Sequence, residues 1–318
     1  MTADSTAARR AGVTAVHSLH RFVFTVPDLA VATQFYQSFG LDVRAHPGRI
    51  ELHTFGHPHR WGTVIEAPGR KKLQYVSFAA YPEDVDPIGA RMRAQGHAAT
   101  PAHPLADEPG LWFTDPEGIA VQVVTADKVT PARADPAVIP AAPSPGKGAA
   151  PSRSRAGRVR PQRLSHILMF SSDVPRSVRF YTEALGLRLS DHSADIIAFL
   201  HGAHASDHHL VAFAKSDGPG LHHSSWAVPG IDDVGLGMQQ MEDDGYKEGW
   251  GVGRHVIGSN YFRYIRDPWG SFAEYSAGID FIPADVEWRP ADHPLEDSFY
   301  VWGPATPDYF IQNHEGAA

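Results

Sequence analysis

Residues 164–187 read LSHILMFSSDVPRSVRFYTEALGL, and residues 19–41 read LHRFVFTVPDLAVATQFYQSFGL. Each is an alternating apolar strand, then an Asp placed to cap a helix. An amphipathic stretch with Phe-Tyr follows, and Gly-Leu closes it. Asp28 matches Asp173, Phe35-Tyr36 matches Phe180-Tyr181, and Gly40-Leu41 matches Gly186-Leu187 with one extra residue. Two more pairs follow: LQYVSFAA (73–80) with LHHSSWAV (221–228), and FTDPEGIAVQVV (113–124) with IRDPWGSFAEYS (265–276). A period of this kind marks duplicated modules, each with two strand–helix–strands units. Strands outnumber helices, so the class is α+β. In the second half strands are expected near 165–171, 187–192, 195–200, 208–214, 222–228, 249–255, 261–267 and 271–276. Helices are expected near 175–185 and 232–244.

Between the repeats, residues 127–162 are rich in Pro, Ala, Gly and Ser and lose apolar periodicity, so they read as a linker. Lys147, Arg153, Arg155, Arg158, Arg160 and Arg163 fall in a stretch without acidic residues. This suggests a solvated strap over an acidic surface. The expected organisation is a tail (1–16), a first domain without metal (17–126), the linker (127–162), a second, metal-binding domain (163–290) and a C-terminal tail (291–318).

Composition narrows the function. The net charge of −8 argues against a general nucleic-acid binder. No apolar run is long enough for a membrane span, and the N-terminus has no signal-like apolar region. The expectation is a cytoplasmic protein. Cysteine is absent, so thiolate ligands and disulfides are excluded and any metal must sit on nitrogen and oxygen.

The repeat supplies an internal comparison. In register, His166 faces Arg21, His223 faces Tyr75 and Glu274 faces Gln122. All three potential ligands of the second half are replaced in the first, as expected of a set that works together. Two imidazoles and one carboxylate with positions left open suit a non-haem Fe(II) site. Mn(II) accepts the same atoms, and zinc is the rival on ligand type alone.

LSHILMF, HLVAFAKSDGPGLHHSSW and GRHVIGSNYFRYIRDPWGSFAEY (253–275) give the second half a resemblance to the catalytic module of the type I extradiol ring-cleavage dioxygenases. That family lies in the vicinal-oxygen-chelate superfamily, and the resemblance covers most of residues 17 to 290. It implies tandem βαβββ modules forming two open, barrel-like domains, with metal only in the second. The implied metal ligands are His166, His223 rather than the adjacent His222, and Glu274, holding Fe(II) or Mn(II). The implied catalytic residues are His209, as acid toward dioxygen, and His255 and Tyr264, as proton acceptors for a catechol. The implied partners are an aromatic diol and dioxygen, and a homo-oligomer is expected.

In relatives that bind a carboxylate-bearing catechol, an arginine commonly stands five residues before the His of GRH. Trp250 stands there instead, which points to an apolar or differently substituted ring. Trp250, Trp226, Phe262, Asn260 and His222 are the expected pocket residues. The aromatic stretch 297–310 either lids the pocket or packs elsewhere. His46, His192, His201 and His204 are expected at the surface or rim. Two other readings stand beside ring cleavage: a metal-dependent isomerase or transferase of the same superfamily, and a metal-free small-molecule binding module.

Overall fold

The computed structural model describes residues 8–136, 146 and 148–316. The first half runs β1 (Val16–Val26), α1 (Leu29–Phe39), β2 (Asp42–His46), β3 (Arg49–Thr54), β4 (His57–Glu66), β5 (Lys72–Ala80), α2 (Pro82–Ala94), β6 (Leu111–Thr114) and β7 (Ala120–Thr125). The second runs β8 (Arg163–Ser171), α3 (Val174–Glu183), β9 (Arg188–Ser193), β10 (Ile197–His201), β11 (Ser206–Asp207), β12 (Val211–Lys215), β13 (Gly220–Ala227), α4 (Ile231–Asp243), β14 (Gly249–His255), β15 (Tyr261–Arg266), β16 (Phe272–Ala277), β17 (Phe281–Ile282) and β18 (Tyr300–Trp302). A seven-stranded sheet in the order β2-β3-β4-β1-β5-β7-β6 forms the first half. A nine-stranded sheet in the order β18-β14-β15-β16-β13-β8-β12-β10-β9 forms the second. Both are curled half-barrels, and the fold is α+β as the repeat implies.

The two repeated openings fold alike for local reasons. Asp28 accepts from the backbone N–H of Val31, and Asp173 accepts from that of Arg176, each at 3.0 Å. Such a cap stabilises a helix start by about 1 kcal/mol. Gly40 ends α1 at φ 97°, and a Cβ there would lie 2.1 Å from the Val159 carbonyl. Only glycine fits, so helix end and linker pack backbone to backbone.

The halves are unequal in one place. Nothing in the first half corresponds to β14. The equivalent stretch, residues 97–110, forms no strand, and its Pro101, Pro104 and Pro109 supply no ladder donors. The second module of the first half is therefore one strand short of the expected pattern. In the second half the same edge is present and is covered by β18, which pairs with β14 through Arg254–Trp302 and His255–Tyr300.

One apolar core joins the halves. Phe39 stacks on Tyr275 at 3.9 Å between ring centroids, and the Tyr275 hydroxyl donates to the Phe39 carbonyl at 2.7 Å. Asp115 and Asp267, equivalent in the repeat, use one oxygen to bind the backbone of their own turns. The other oxygen crosses to the opposite half: Tyr181 donates to Asp115, and buried Lys71 donates to Asp267.

Part of the basic linker lies against acidic groups, while Arg160 sits over the Phe55 ring. Arg158 reaches Asp244 at 3.2 Å and Arg153 lies 4.0 Å from Asp243. Arg163 opens β8 and pairs with Asp207 and Asp135. Lys147, residues 137–145 and the ends of both tails lie outside the described residues. Among the described residues no helix is long and apolar enough to cross a membrane.

Candidate metal centre

Strand pairing brings the three potential ligands together. His166 on β8 faces Ser225 on β13, Ser225 faces Glu274 on β16, and Glu274 faces Tyr264 on β15. Directly paired residues point to the same side of a sheet, so this row projects from one face. Ser225 is small and leaves the space between His166 and Glu274 open. His223, two residues before Ser225, shares that face.

His166, His223 and Glu274 offer ligand atoms that all lie within 4.8 Å of one another. His166 Nε2 is 3.4 Å and His223 Nε2 is 3.7 Å from Glu274 Oε2. All three residues are buried, and His223 Nε2 and Glu274 Oε2 have no hydrogen-bond partner. Buried polar atoms left unpaired are costly. Their convergence at separations of 3.4 and 3.7 Å fits atoms that share one cation. The donor set of two imidazoles and a carboxylate suits a divalent transition metal.

Each potential ligand is held from behind. His166 Nδ1 lies 3.2 Å from the Ser165 hydroxyl, which donates to Asp207 at 3.0 Å. His223 Nδ1 lies 2.7 Å from His222 Nδ1. Asn260 donates to Glu274 Oε1 at 3.2 Å and to the Ser276 hydroxyl at 2.9 Å.

The site opens onto a cavity of about 290 Å³. His166, His209, His222, His223, His255 and Tyr264 stand at its polar end. Its other walls are mainly apolar, including Leu168, Phe170, Ile197, Phe199 and Ile257, with Lys215 at the rim. The His209 ring lies beside that of His166, tilted against it, with 4.0 Å between centroids. His255 Nε2 is 2.9 Å from the Tyr264 hydroxyl and 3.9 Å from Glu274 Oε1. Burial, reinforced by neighbouring imidazoles, holds His209 and His223 well below the ordinary histidine pKa. Burial also lowers His255 and takes His222 down to about 4. Burial, with Glu274 adding to it, pushes Tyr264 well above the ordinary phenol value.

Of the five expected pocket residues, Asn260 and His222 line the cavity. Trp250, Trp226 and Phe262 do not. Trp250 lies opposite Tyr264 in the sheet, but the C-terminal segment covers it. Phe299 and Phe310 pack on its ring, and its Nε1 donates to the Pro304 carbonyl at 2.9 Å. Trp226 points to the other face of β13, into the core against Phe22. Phe262 lies behind His255, stacked at 4.1 Å.

Two features were hidden from sequence reasoning. Strand alternation should turn only one of His222 and His223 inward. A β-bulge between Leu221 and His223 turns both to the cavity. His208 belongs to the site indirectly. Its Nε2 is 2.8 Å from Asp191, and its Nδ1 is 3.1 Å from His209 Nδ1. The signal was the doubled histidine at 208–209 and again at 222–223. The C-terminal segment supplies Leu295, Ser298, Phe299, Phe310 and Ile311 to the wall, the lid alternative of the sequence reading. His201 and His204 are buried rather than at the surface, held by Ser190 and by the backbone N–H of Arg10.

Residues 163–275 match the Glyoxalase/Bleomycin resistance protein/Dioxygenase superfamily. The chain is 46% identical over 301 residues to Metapyrocatechase 2 of Cupriavidus necator, covering 95% of this chain and 93% of that protein. It superposes on the Mn(II)-bound glyoxalase from Novosphingobium aromaticivorans with a TM-score of 0.76 and 24% identity, covering 95% and 96% of the two chains. A variant of homoprotocatechuate 2,3-dioxygenase from Brevibacterium fuscum gives a TM-score of 0.73 at 20% identity, covering 96% and 83%. At such identities the two structures speak for the fold alone. The curated relative, similar over nearly its whole length, shows the family: this chain is an extradiol dioxygenase of the type I ring-cleavage family, within the vicinal-oxygen-chelate superfamily.

Proposed function

We propose that the chain holds Fe(II) on His166, His223 and Glu274 and inserts both atoms of dioxygen into a catechol carrying an apolar ring substituent. The convergence of unpaired His223 Nε2 and Glu274 Oε2 beside His166, at the polar end of an apolar cavity, carries this reading. Such an ion, when bound, supplies a Lewis acid that lowers the pKa of the catechol oxygens and a place for dioxygen beside the ring.

The chain's own residues do the rest. The apolar wall seats the ring and excludes water. Tyr264 and His255, 2.9 Å apart, form a short relay that accepts a catechol proton. His209 faces the cavity from the other side, next to His166, where it takes up the second catechol proton and hands it to oxygen as the O–O bond breaks. Asp191 holds His208, and His208 holds His209 Nδ1, so His209 Nε2 is the atom that exchanges the proton. One ring carbon–carbon bond breaks and two carbon–oxygen bonds form. The catechol supplies all the electrons, so no external reductant enters.

Among the described residues lining the cavity the one lysine or arginine is Lys215, which is half-exposed at the rim and paired with Asp195. An apolar substituent is therefore accommodated better than a carboxylate. The test is to load the protein anaerobically with Fe(II) or Mn(II) separately and add alkyl-, aryl- and carboxymethyl-catechols under labelled dioxygen. The reading predicts a ring-opened product carrying both labels, formed fastest by the Fe(II) form and from the apolar catechols. A singly labelled product, or no oxygen uptake with any catechol, would overturn it.

A further inference from the structure

His222 and His255 flank the proposed site on different strands, and each gives a ring nitrogen to a main-chain carbonyl of the same C-terminal segment. His222 Nε2 lies 2.7 Å from the Phe310 carbonyl, and His255 Nδ1 lies 2.8 Å from the Phe299 carbonyl. A carbonyl oxygen only accepts, so the nitrogen facing it must carry hydrogen. In a neutral ring the other nitrogen is then the acceptor. For His222 this is Nδ1, 2.7 Å from His223 Nδ1, so His223 donates from Nδ1 and keeps its lone pair on Nε2. That Nε2 is the unpaired atom turned toward Glu274. For His255 the acceptor is Nε2, to which the Tyr264 hydroxyl donates at 2.9 Å.

We propose that the C-terminal segment from Phe299 to Phe310 is a working part of the metal centre, its two carbonyls setting the tautomers of His222 and His255. His222 is a positioning residue. It passes the choice made by Phe310 on to His223, while His255 passes the choice made by Phe299 on to Tyr264. Closing over the cavity is thus only half of what the segment does. It decides which imidazole nitrogens are free inside.

The segment is anchored well enough for this task. The Tyr309 hydroxyl donates to the Gly249 carbonyl at 3.1 Å and accepts from the Gly249 N–H at 3.0 Å. Beyond it, Glu315 accepts from the backbone N–H of Leu73 in one half and of Leu221 in the other, at 2.6 and 3.2 Å. Energetic coupling between two sites is reciprocal. If docking the segment presents the His223 lone pair, a metal taking that lone pair tightens the docking.

The proposal rests on His223 being a ligand, so its tests separate the two ideas. In the metal-free full chain with 15N-labelled histidine, NMR should find hydrogen on Nε2 of His222 and on Nδ1 of His223 and His255. The opposite tautomer at His222 or His255 would overturn the proposal whether or not metal binds. With Mn(II) as probe, His222→Leu should weaken binding about 10–100-fold, as changes behind a ligand do. Mn(II) should slow backbone hydrogen exchange across 299–311 in the unaltered chain and lose that effect in His222→Leu. His222→Asn, whose Oδ1 still accepts from His223 but cannot reach Phe310, should keep the affinity and lose the effect on exchange. This second variant carries the test if His222→Leu does not fold. Unchanged affinity in His222→Leu, or exchange in His222→Asn that still responds to Mn(II), would refute it. An unaltered chain that binds no divalent ion would instead remove the Fe(II) reading, with the tautomers still judging this one.

Discussion

Gln122 holds in the first half the sheet position that Glu274 holds in the second. Gln122 pairs with Ser77 and Trp112 on the neighbouring strands, and Glu274 pairs with Ser225 and Tyr264. Beyond the serines stand Arg21 and His166. The row Arg21–Ser77–Gln122–Trp112 is the first half's counterpart of His166–Ser225–Glu274–Tyr264.

This equivalence makes Glu274→Gln an informative change, because the protein already folds with glutamine in the matching place. The variant should fold with near-native stability yet lose more metal affinity than the roughly 10–100-fold typical of changes behind a ligand. Metal titration beside a thermal melt would check it. Undiminished metal binding would remove Glu274 from the ligand set.

The Asp191–His208–His209 chain predicts a split in kinetic constants. Loss of a general acid or base typically costs about 10²–10⁴-fold in rate. His209→Ala should lower kcat by the smaller figure, and Asp191→Asn should lower it less, with the KM for catechol little changed in both. Steady-state oxygen uptake distinguishes this from a binding defect, in which KM would rise and kcat hold.

Part of the acid sensitivity should come from histidines remote from the candidate metal ligands. Burial lowers His17 and His201 to about 3 and His204 to about 4. In the unfolded chain these groups take up protons near the ordinary value, so below it the unfolded state binds more protons than the folded one. Their contribution to stability is complete above about pH 6.5 and is lost as pH falls toward 4, at up to about 1.4 kcal/mol per pH unit for each. Urea melts across this window should show the decline, and His201→Gln should flatten it.

Lys71 and Asp267 form a buried ion pair between the halves, with side chains 3% and 2% exposed. Removing one partner of such a pair costs about 3–5 kcal/mol, whereas replacing both often costs little. Lys71→Met should therefore destabilise strongly, and Lys71→Met with Asp267→Asn should recover much of the loss. Equal destabilisation by the single and double changes in denaturant melts would contradict a paired role.

The sequence showed the duplicated module because caps, alternation and closing glycines are local signals. Asp28, Asp173 and Gly40 do in the structure what their types suggest. The grouping of His166, His223 and Glu274 was legible through the repeat, because the first half displays the alternative residues. Trp250 was misplaced because its neighbourhood is set by Phe299 and Phe310, some fifty residues away or more, with no periodicity linking them. The bulge at His222 was also invisible, since it depends on how β13 meets β8. The missing strand at 97–110 could have been read from Pro101, Pro104 and Pro109.

Arg21 carries a last consequence. Its buried guanidinium pairs with Glu108 at 3.0 Å and Asp107 at 3.2 Å, in the row position that His166 fills in the other half. On the proposed reading the second half borrows a cation from the cell, whereas the first carries its own covalently. Withholding the divalent metal would thus, on that reading, silence this enzyme without depriving its first half of anything it needs to close. Backbone hydrogen exchange in β1, β5 and β7 should be the same in metal-stripped and metal-loaded protein, leaving a frame that is formed before any metal arrives.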